Sequence, residues 1–464
     1  MFDNRDNIDF KTTNIPKLFG SIFIPTLLGM IFNIAFILTD GIFIGQGVGS
    51  DGLACVNLVA PLMLLFSGIG MMFAIGASVV VSIHLSQDNL KAARINVTQT
   101  FIYASLFSVV IGAIMYIFAD NVLQLLGTTP RLMEMSKQYY LWFIPTCLLL
   151  MIQTIGTFIT RVDGAPKFSM IINIVAAVVN LVFDYIFIFH CNLGLKGAAL
   201  ATDIGGFIAA AMVLFYMLKS TQQLKFYKLK ATATSLRLSL RNIGYITKIG
   251  FSGFLNELAV STMMVVGNYM FLRYIGEDGV AAFSVICYLY PIVFMINNSV
   301  AQSAQPIISF NYGIGNWARV RKSVQFSFFT ATLCGIVATF VLYFFCSPIV
   351  SAFLKEGCAA HSYAVEGLPL FTLGFVLFAI NIACIGYLQS IEKAHSATFI
   401  TILRGIIFTI MSFILLPKII GTKGLWLAVP TADLLTLLII MLGAIWKLFA
   451  KQNTQTTNSS STLS

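Results

Sequence analysis

The chain has 464 residues, of which 58% are apolar and only 10% charged, with a formal net charge of +10 and a mean hydropathy of +0.89. Soluble domains carry about 25% charged residues, so this balance excludes an ordinary water-soluble fold and points to a polytopic membrane protein. A nucleic-acid partner is also excluded as the reason for the positive charge, because the basic residues are scattered through short loops between apolar runs.

The chain opens on the polar, mixed-charge stretch "MFDNRDNIDFKTTN", and residues 1–15 are read as a cytoplasmic segment. The first apolar run is too long for the core of a signal peptide, so no cleavable signal is expected. Runs long enough to span a bilayer as helices then follow at 16–44, 53–83, 95–119, 137–159, 168–190, 196–219, 243–272, 280–310, 323–346, 363–388, 397–417 and 424–447. Residues 16–219 are expected to form one lobe of six helices, 220–242 a basic inter-lobe linker and 243–449 a second lobe of six. The Ser/Thr/Asn-rich residues 450–464 are expected to be a disordered tail.

With the N-terminus inside, twenty of the 28 Lys and Arg residues fall in cytoplasmic segments, seven lie outside, and Arg404 alone lies within a span. This positive-inside asymmetry is expected to put both termini in the cytoplasm of a multi-pass protein of the cell (inner or cytoplasmic) membrane. The eight cysteines form no CxxC pair and the four histidines are dispersed, so neither a disulfide framework nor a zinc-ligand set is expected.

The chain repeats itself at an offset of about 227 residues. "VGSDGLA" (48–54) matches "IGEDGVA" (275–281), "DNLKAAR" (88–94) matches "GNWARVR" (315–321), and "LGLKGAALA" (193–201) answers "IGTKGLWLA" (420–428). Three matches at one offset indicate a duplication. Six crossings return the chain to its starting side, so the halves share an orientation. Their pseudo-twofold axis must then run along the membrane normal. The expected fold is thus all-α, with twelve transmembrane helices in two six-helix lobes.

Five acids lie within spans: Asp40, Asp184, Asp203, Glu257 and Asp433. On insertion scales such a residue costs about 2.5–3.5 kcal/mol, and intramembrane acids are functional by default. Asn180 and Asp184 are one helical turn apart on the same face. At 1.5 Å rise per residue, Asp184 lies about 9 Å below the outer end of its helix, Asp40 about 8 Å and Thr202 about 9 Å. Three helices therefore bring oxygen ligands to one level. Carboxylate, amide and hydroxyl oxygens suit sodium; a proton needs only a carboxyl group that burial or a neighbouring carboxylate favours in its neutral form.

In the second half Glu257 lies about 24 Å, and Arg404 about 20 Å, below the outer ends of their helices, which permits a Glu257–Arg404 pair. Glu257 is then either a structural ion partner or a contact for cationic substrate in a cleft. Aligning the repeats puts Phe408 opposite Asn180 and Ser412 opposite Asp184, so any ion coupling should be asymmetric. Asp203 is either an additional ligand or a water-facing residue near a helix end, the latter favoured, and the role of Asp433 is open. Pro25 shares the first span with Asp40 and is a hinge or a static kink; Pro61 is a second intramembrane proline.

Several longer stretches carry a family resemblance. They are "IPTLLGMIFNIAFILTDGIFIGQ", "RVDGAPKFSMIINIVAAVVNLVFDYIFI", "NLGLKGAALAT", "QPIISFNYGIGNWARVRK" and "LPKIIGTKGLWLAVPTAD". Over residues 16–449 the chain resembles the multidrug and toxic compound extrusion (MATE) family, closest to its DinF-like and related bacterial branch. The resemblance implies export of lipophilic, often cationic compounds driven by inward flow of protons or sodium ions. It also implies a first-lobe cation site at Asp40, Asn180, Asp184 and Thr202 with the carbonyl of Ala198, and, through NorM-like members, a substrate contact at Glu257.

No enzymatic role, cofactor or nucleic-acid partner is expected beyond the coupling ion, and a monomer surrounded by lipid is expected. The alternative within the same superfamily is a flippase for lipid-linked precursors. An intramembrane aspartyl protease lacks its GxGD-like motif here, an ATP-driven pump its phosphate-binding loop, and a channel its selectivity filter.

Overall fold

The computed structural model describes residues 8–443 apart from 127, 129, 222 and 231, with the backbone alone at Ser50 and Leu53. Inside a bilayer every backbone N–H and C=O must be satisfied within the protein, which leaves helices as the natural answer for apolar runs of this length. Helices are the only extended regular elements among the described residues.

The first repeat supplies α1 (Ile15–Gly47), α2 (Ser50–Ser86), α3 (Leu90–Ile117), a short α4 (Ala119–Leu125), α5 (Met133–Val162), α6 (Pro166–Tyr185) and α7 (Gly194–Phe215). Helices α6 and α7 each run on into a π-helical turn, Ile186–His190 and Tyr216–Ser220. The second repeat supplies α8 (Ala233–Tyr274), α9 (Glu277–Gly313), α10 (Trp317–Phe344), a short α11 (Cys346–Phe353), α12 (Ala359–Thr372) and α13 (Gly374–Ser390). It ends with α14 (Ala394–Ile402), a π turn at Leu403–Phe408, α15 (Thr409–Ile420), a short α16 (Lys423–Trp426) and α17 (Ala428–Gly443).

Ten of these runs are long and apolar enough to cross a membrane as single pieces, and α12 with α13 makes one more, bent by 43°. With the shorter apolar α17 they account for the twelve segments read from hydropathy. Pro369 cannot donate to the carbonyl of Val365, four residues earlier, and that carbonyl instead accepts the Cys346 thiol at 3.5 Å. The last span was expected to reach residue 447; 444–464, and with them the expected tail, lie outside the described residues.

The segment expected to be linker, 220–242, is only partly so, since α8 begins at Ala233. The Thr232 hydroxyl accepts the Ser235 N–H at that helix start, where a threonine cap is favourable. The non-helical part is strapped to the first repeat by Asp163. Its carboxylate accepts the Tyr216 and Thr221 hydroxyls and the N–H groups of Gln223 and Leu224.

The described chain forms two compact units that do not coincide with the two repeats. The first holds the residues up to Ser261 together with Phe294–Thr330 and Gly386–Thr398; the second holds Thr262–Val293, Ala331–Ile385 and the residues from Phe399 onward. Within the first unit, parts of the second repeat pack against the first repeat. Here α2 and α8 approach until their backbones touch: a Cβ on Gly76 would lie 2.0 Å from the Ile246 oxygen, and one on Gly250 1.8 Å from the Met72 oxygen. Only glycine permits that approach. Polar side chains complete the contact, with Gln305 donating to the Ile75 carbonyl at 3.2 Å and Gln99 to the Ser239 hydroxyl at 2.7 Å.

Gly250→Val is therefore expected to lower the melting temperature of the detergent-solubilised protein by the equivalent of about 1–3 kcal/mol, the usual cost of overpacking. Gly244→Ala, on the same helix but facing open space, is expected to stay within about 0.5 kcal/mol of wild type. Equal melting temperatures for Gly250→Val and wild type would contradict the α2–α8 contact.

Candidate cation site and the buried pair of the second repeat

Helical spacing puts Asn180 and Asp184 on one face of α6, and both side chains are buried, at 3% and 1% exposure. The π turn Ile186–His190 follows immediately, a feature that recurs at functional sites in helices. From α7 comes Thr202, whose hydroxyl accepts the Asn180 amide at 3.1 Å and donates to the Ala198 carbonyl at 3.1 Å. From α1 comes Asp40, half-buried but with one oxygen shielded from solvent. The carboxyl groups of Asp40 and Asp184 are close enough to interact electrostatically.

The donors do not match the acceptors. Asp40 Oδ1, Asn180 Oδ1 and both carboxylate oxygens of Asp184 are buried without a hydrogen-bond donor. Buried polar groups are nearly always paired, and two carboxylates can share a hydrogen bond only if one brings a proton. Four unpartnered oxygens in one place are therefore a donor set for a hard monovalent cation, or for a proton held between the two acids. Among the described residues no group of three or more His, Cys, Asp or Glu side chains could hold a metal ion. The oxygen set with two carboxylates fits sodium rather than a transition metal. The structure thus brings together Asp40, Asn180, Asp184 and Thr202 and hydrogen-bonds Thr202 to the Ala198 carbonyl.

Two neighbours of these acids, Tyr139 and Thr146, were not legible in the sequence. Tyr139 of α5 is buried at 4% exposure, and its hydroxyl lies within electrostatic reach of Asp40, Asp184 and Asp203. Asp203 is half-buried and accepts the hydroxyl of Thr146, a fully buried α5 residue. It therefore points toward α5 while keeping part of its surface exposed. Consecutive residues of α7 serve different neighbours, Thr202 facing α6 and Asp203 facing α5. The "QYYLWF" stretch offered no polar periodicity that would have singled out Tyr139.

In the second repeat the carboxylate partner of Arg404 is Asp433. Its Nη1 lies 3.6 Å from Asp433 Oδ1, and both side chains are almost fully buried. The Asn381 amide donates to the Asp433 carboxylate at 3.0 Å and to its backbone carbonyl at 2.9 Å. The guanidinium also stacks over the Phe378 ring at 4.9 Å. The pairing read from depth, Glu257 with Arg404, is thereby corrected. Equal depth does not fix rotation about the helix axis, and Arg404 sits on the π turn Leu403–Phe408, where the side-chain phase shifts. Glu257 is half-buried and has no ion-pair partner among the described residues. It lies on the face of α8 that approaches Gly68 of α2, where an added Cβ would come within 3.3 Å of the Glu257 Cβ. Ser412 is buried in α15.

Pro25 is buried inside α1, about 22 Å along the helix from Asp40. The neighbouring Thr26 hydroxyl donates to the Ile22 carbonyl at 2.8 Å. Arg161, buried at 4% exposure, reaches Thr26 at 3.5 Å and Gln302 of α9 at 3.1 Å.

Comparison with known proteins agrees with this architecture. The family model MatE matches the chain twice, over residues 25–186 and 254–414, once in each repeat. The multidrug export protein MepA of Staphylococcus saprophyticus is 22% identical over 440 residues, covering 93% of this chain and 94% of MepA. A solved structure described as the outward-facing conformation of a multidrug resistance MATE family transporter superposes with a TM-score of 0.88 at 18% identity, covering 96% of this chain and 98% of that one. A mutant of the Vibrio cholerae MATE transporter VcmN gives 0.86 at 20% identity, over 94% and 97%. With the family model matched across both repeats, the chain belongs to the MatE family of membrane transporters.

Proposed function

We propose that this protein is a secondary active exporter that moves lipophilic, often cationic small molecules outward against an inward flow of sodium ions or protons, by alternating access. The observation that carries the reading is the set of four unpartnered, buried oxygens of Asp40, Asn180 and Asp184. The full-length likeness to MepA, named as a multidrug export protein, supports the substrate class. The first-repeat site supplies the coupling: a cation or proton between Asp40 and Asp184 ties α1 to α6, and its departure leaves two facing carboxylates that favour separation. A cation therefore binds the two arrangements of α1 with different affinity, which is the condition for coupling. Thr202 and the Ala198 carbonyl complete the oxygen shell, and Asn180 with Thr202 tilts the site toward sodium competence. Glu257, an acid on α8 without an ion-pair partner among the described residues, is the residue proposed to meet cationic substrate. The charge asymmetry of the loops supports a cell-membrane protein with both termini in the cytoplasm.

Two measurements in proteoliposomes test this reading, with a sodium gradient or a pH gradient imposed alone. At least one gradient is expected to drive dye export in wild type, and Asp184→Asn is expected to abolish it at normal membrane insertion. Full export by that variant would overturn the proposed site. Glu257→Gln is expected to reduce export of cationic dyes several-fold while sparing neutral substrates; unchanged export of every cationic dye would leave Glu257 a structural role only.

A further inference from the structure

The second repeat lacks the Asn180/Asp184 pair, yet it buries a full charge pair one helical turn away from the equivalent positions. At the repeat offset of 227–228 residues, Arg404 corresponds to residue 176 or 177 and Asp433 to residue 205 or 206. In the first repeat the corresponding helices touch at this level: a Cβ on Gly205 would lie 2.9 Å from the Ala176 oxygen and 3.2 Å from the Asn180 Cβ. One repeat therefore has a bare backbone contact beside unpartnered oxygens. The other has a guanidinium and a carboxylate at the matching contact.

We infer that Arg404 is a tethered counterpart of the exchangeable cation, occupying a monovalent-cation site built from Asp433 and Asn381 and so keeping the second repeat out of ion coupling. The surroundings of Asp433 are those of a cation site. It is 1% exposed, receives one amide donor from Asn381, and meets its positive charge in Arg404. Tyr290, also buried, is close enough to the guanidinium to interact with it electrostatically, and Phe378 lies under it. An arginine is charged at any working pH and cannot dissociate from the protein. Asp433 thus has a permanent cation where Asp184 has an exchangeable one. The π turn aims it: Thr409 donates to the Arg404 carbonyl, five residues back, at 2.8 Å.

The inference rests on the proposed ion-coupled reading, and the test separates the two. Purified wild type, R404A and R404A/D433N are compared by equilibrium binding of radioactive sodium and by proton uptake from weakly buffered solution. R404A is expected to bind one more monovalent-cation equivalent than wild type, as sodium or as a proton according to which arm responds. R404A/D433N is expected to return to the wild-type value. A folded R404A with wild-type stoichiometry, or an extra equivalent that persists in the double variant, would overturn the inference. Where R404A is too unstable for binding, its melting temperature is expected to rise with sodium or acid more steeply than that of wild type, and an equal slope counts against the site. A wild type that binds neither cation would instead overturn the export reading itself.

Discussion

Two carboxylates facing each other among apolar helices cannot both stay ionised and without a donor, and the first repeat is organised around that constraint. At about 4 Å and an effective dielectric of 20, two such charges repel by about 4 kcal/mol. Reversing a two-state equilibrium from 1:99 to 99:1 takes about 5.5 kcal/mol. Repulsion on that scale is comparable with what biases a conformational change, while an exposed ion pair, worth about 0–1 kcal/mol, is not. The rest of the site follows from where these acids are held. Asp184 is buried on α6, Thr202 and Asn180 are fixed to each other, and Asp40 rides on α1, the helix that carries Pro25.

The duplication supplied two copies of the helical frame but not two copies of the chemistry. In the first repeat the polar groups are in excess of their donors. In the second, the Asp433 carboxylate meets the positive charge of Arg404 and an amide donor from Asn381. A buried ion pair is weak evidence for stability, because desolvation offsets most of its attraction. On the proposed coupling, its place beside the position that matches the candidate ion site is explained by what it prevents. Compactness follows a different division from sequence repetition, since α8 and α9 each contribute to both units and the glycine contact of α2 with α8 ties parts of the two repeats within one of them.

Much of this was legible in the residues themselves. Twelve apolar runs emerge as helices because a bilayer leaves the backbone little alternative. Asn180 and Asp184 could be paired from helical spacing, and Thr202 and Asp40 joined to them from depth. What depth could not supply was rotation about each helix axis. It made Glu257 and Arg404 plausible partners, whereas the phase shift at the π turn directs Arg404 to Asp433. It also gave no sign that Thr146 faces Asp203 or that Tyr139 stands near three carboxylates. The ten helical residues at the start of α8 were hidden for another reason: their polar, basic composition reads as linker, and nothing in hydropathy distinguishes a helical extension from a loop.

The central claim is that a shared positive charge holds α1 against α6 at the level of Asp40 and Asp184. Its most direct test is the distance between spin labels on the outer ends of these two helices, measured with and without sodium and across a pH series in detergent or lipid discs. The account predicts that sodium or acid shortens the α1–α6 distance and that Asp40→Asn removes this dependence. A distance in the wild-type protein that responds to neither cation would contradict it.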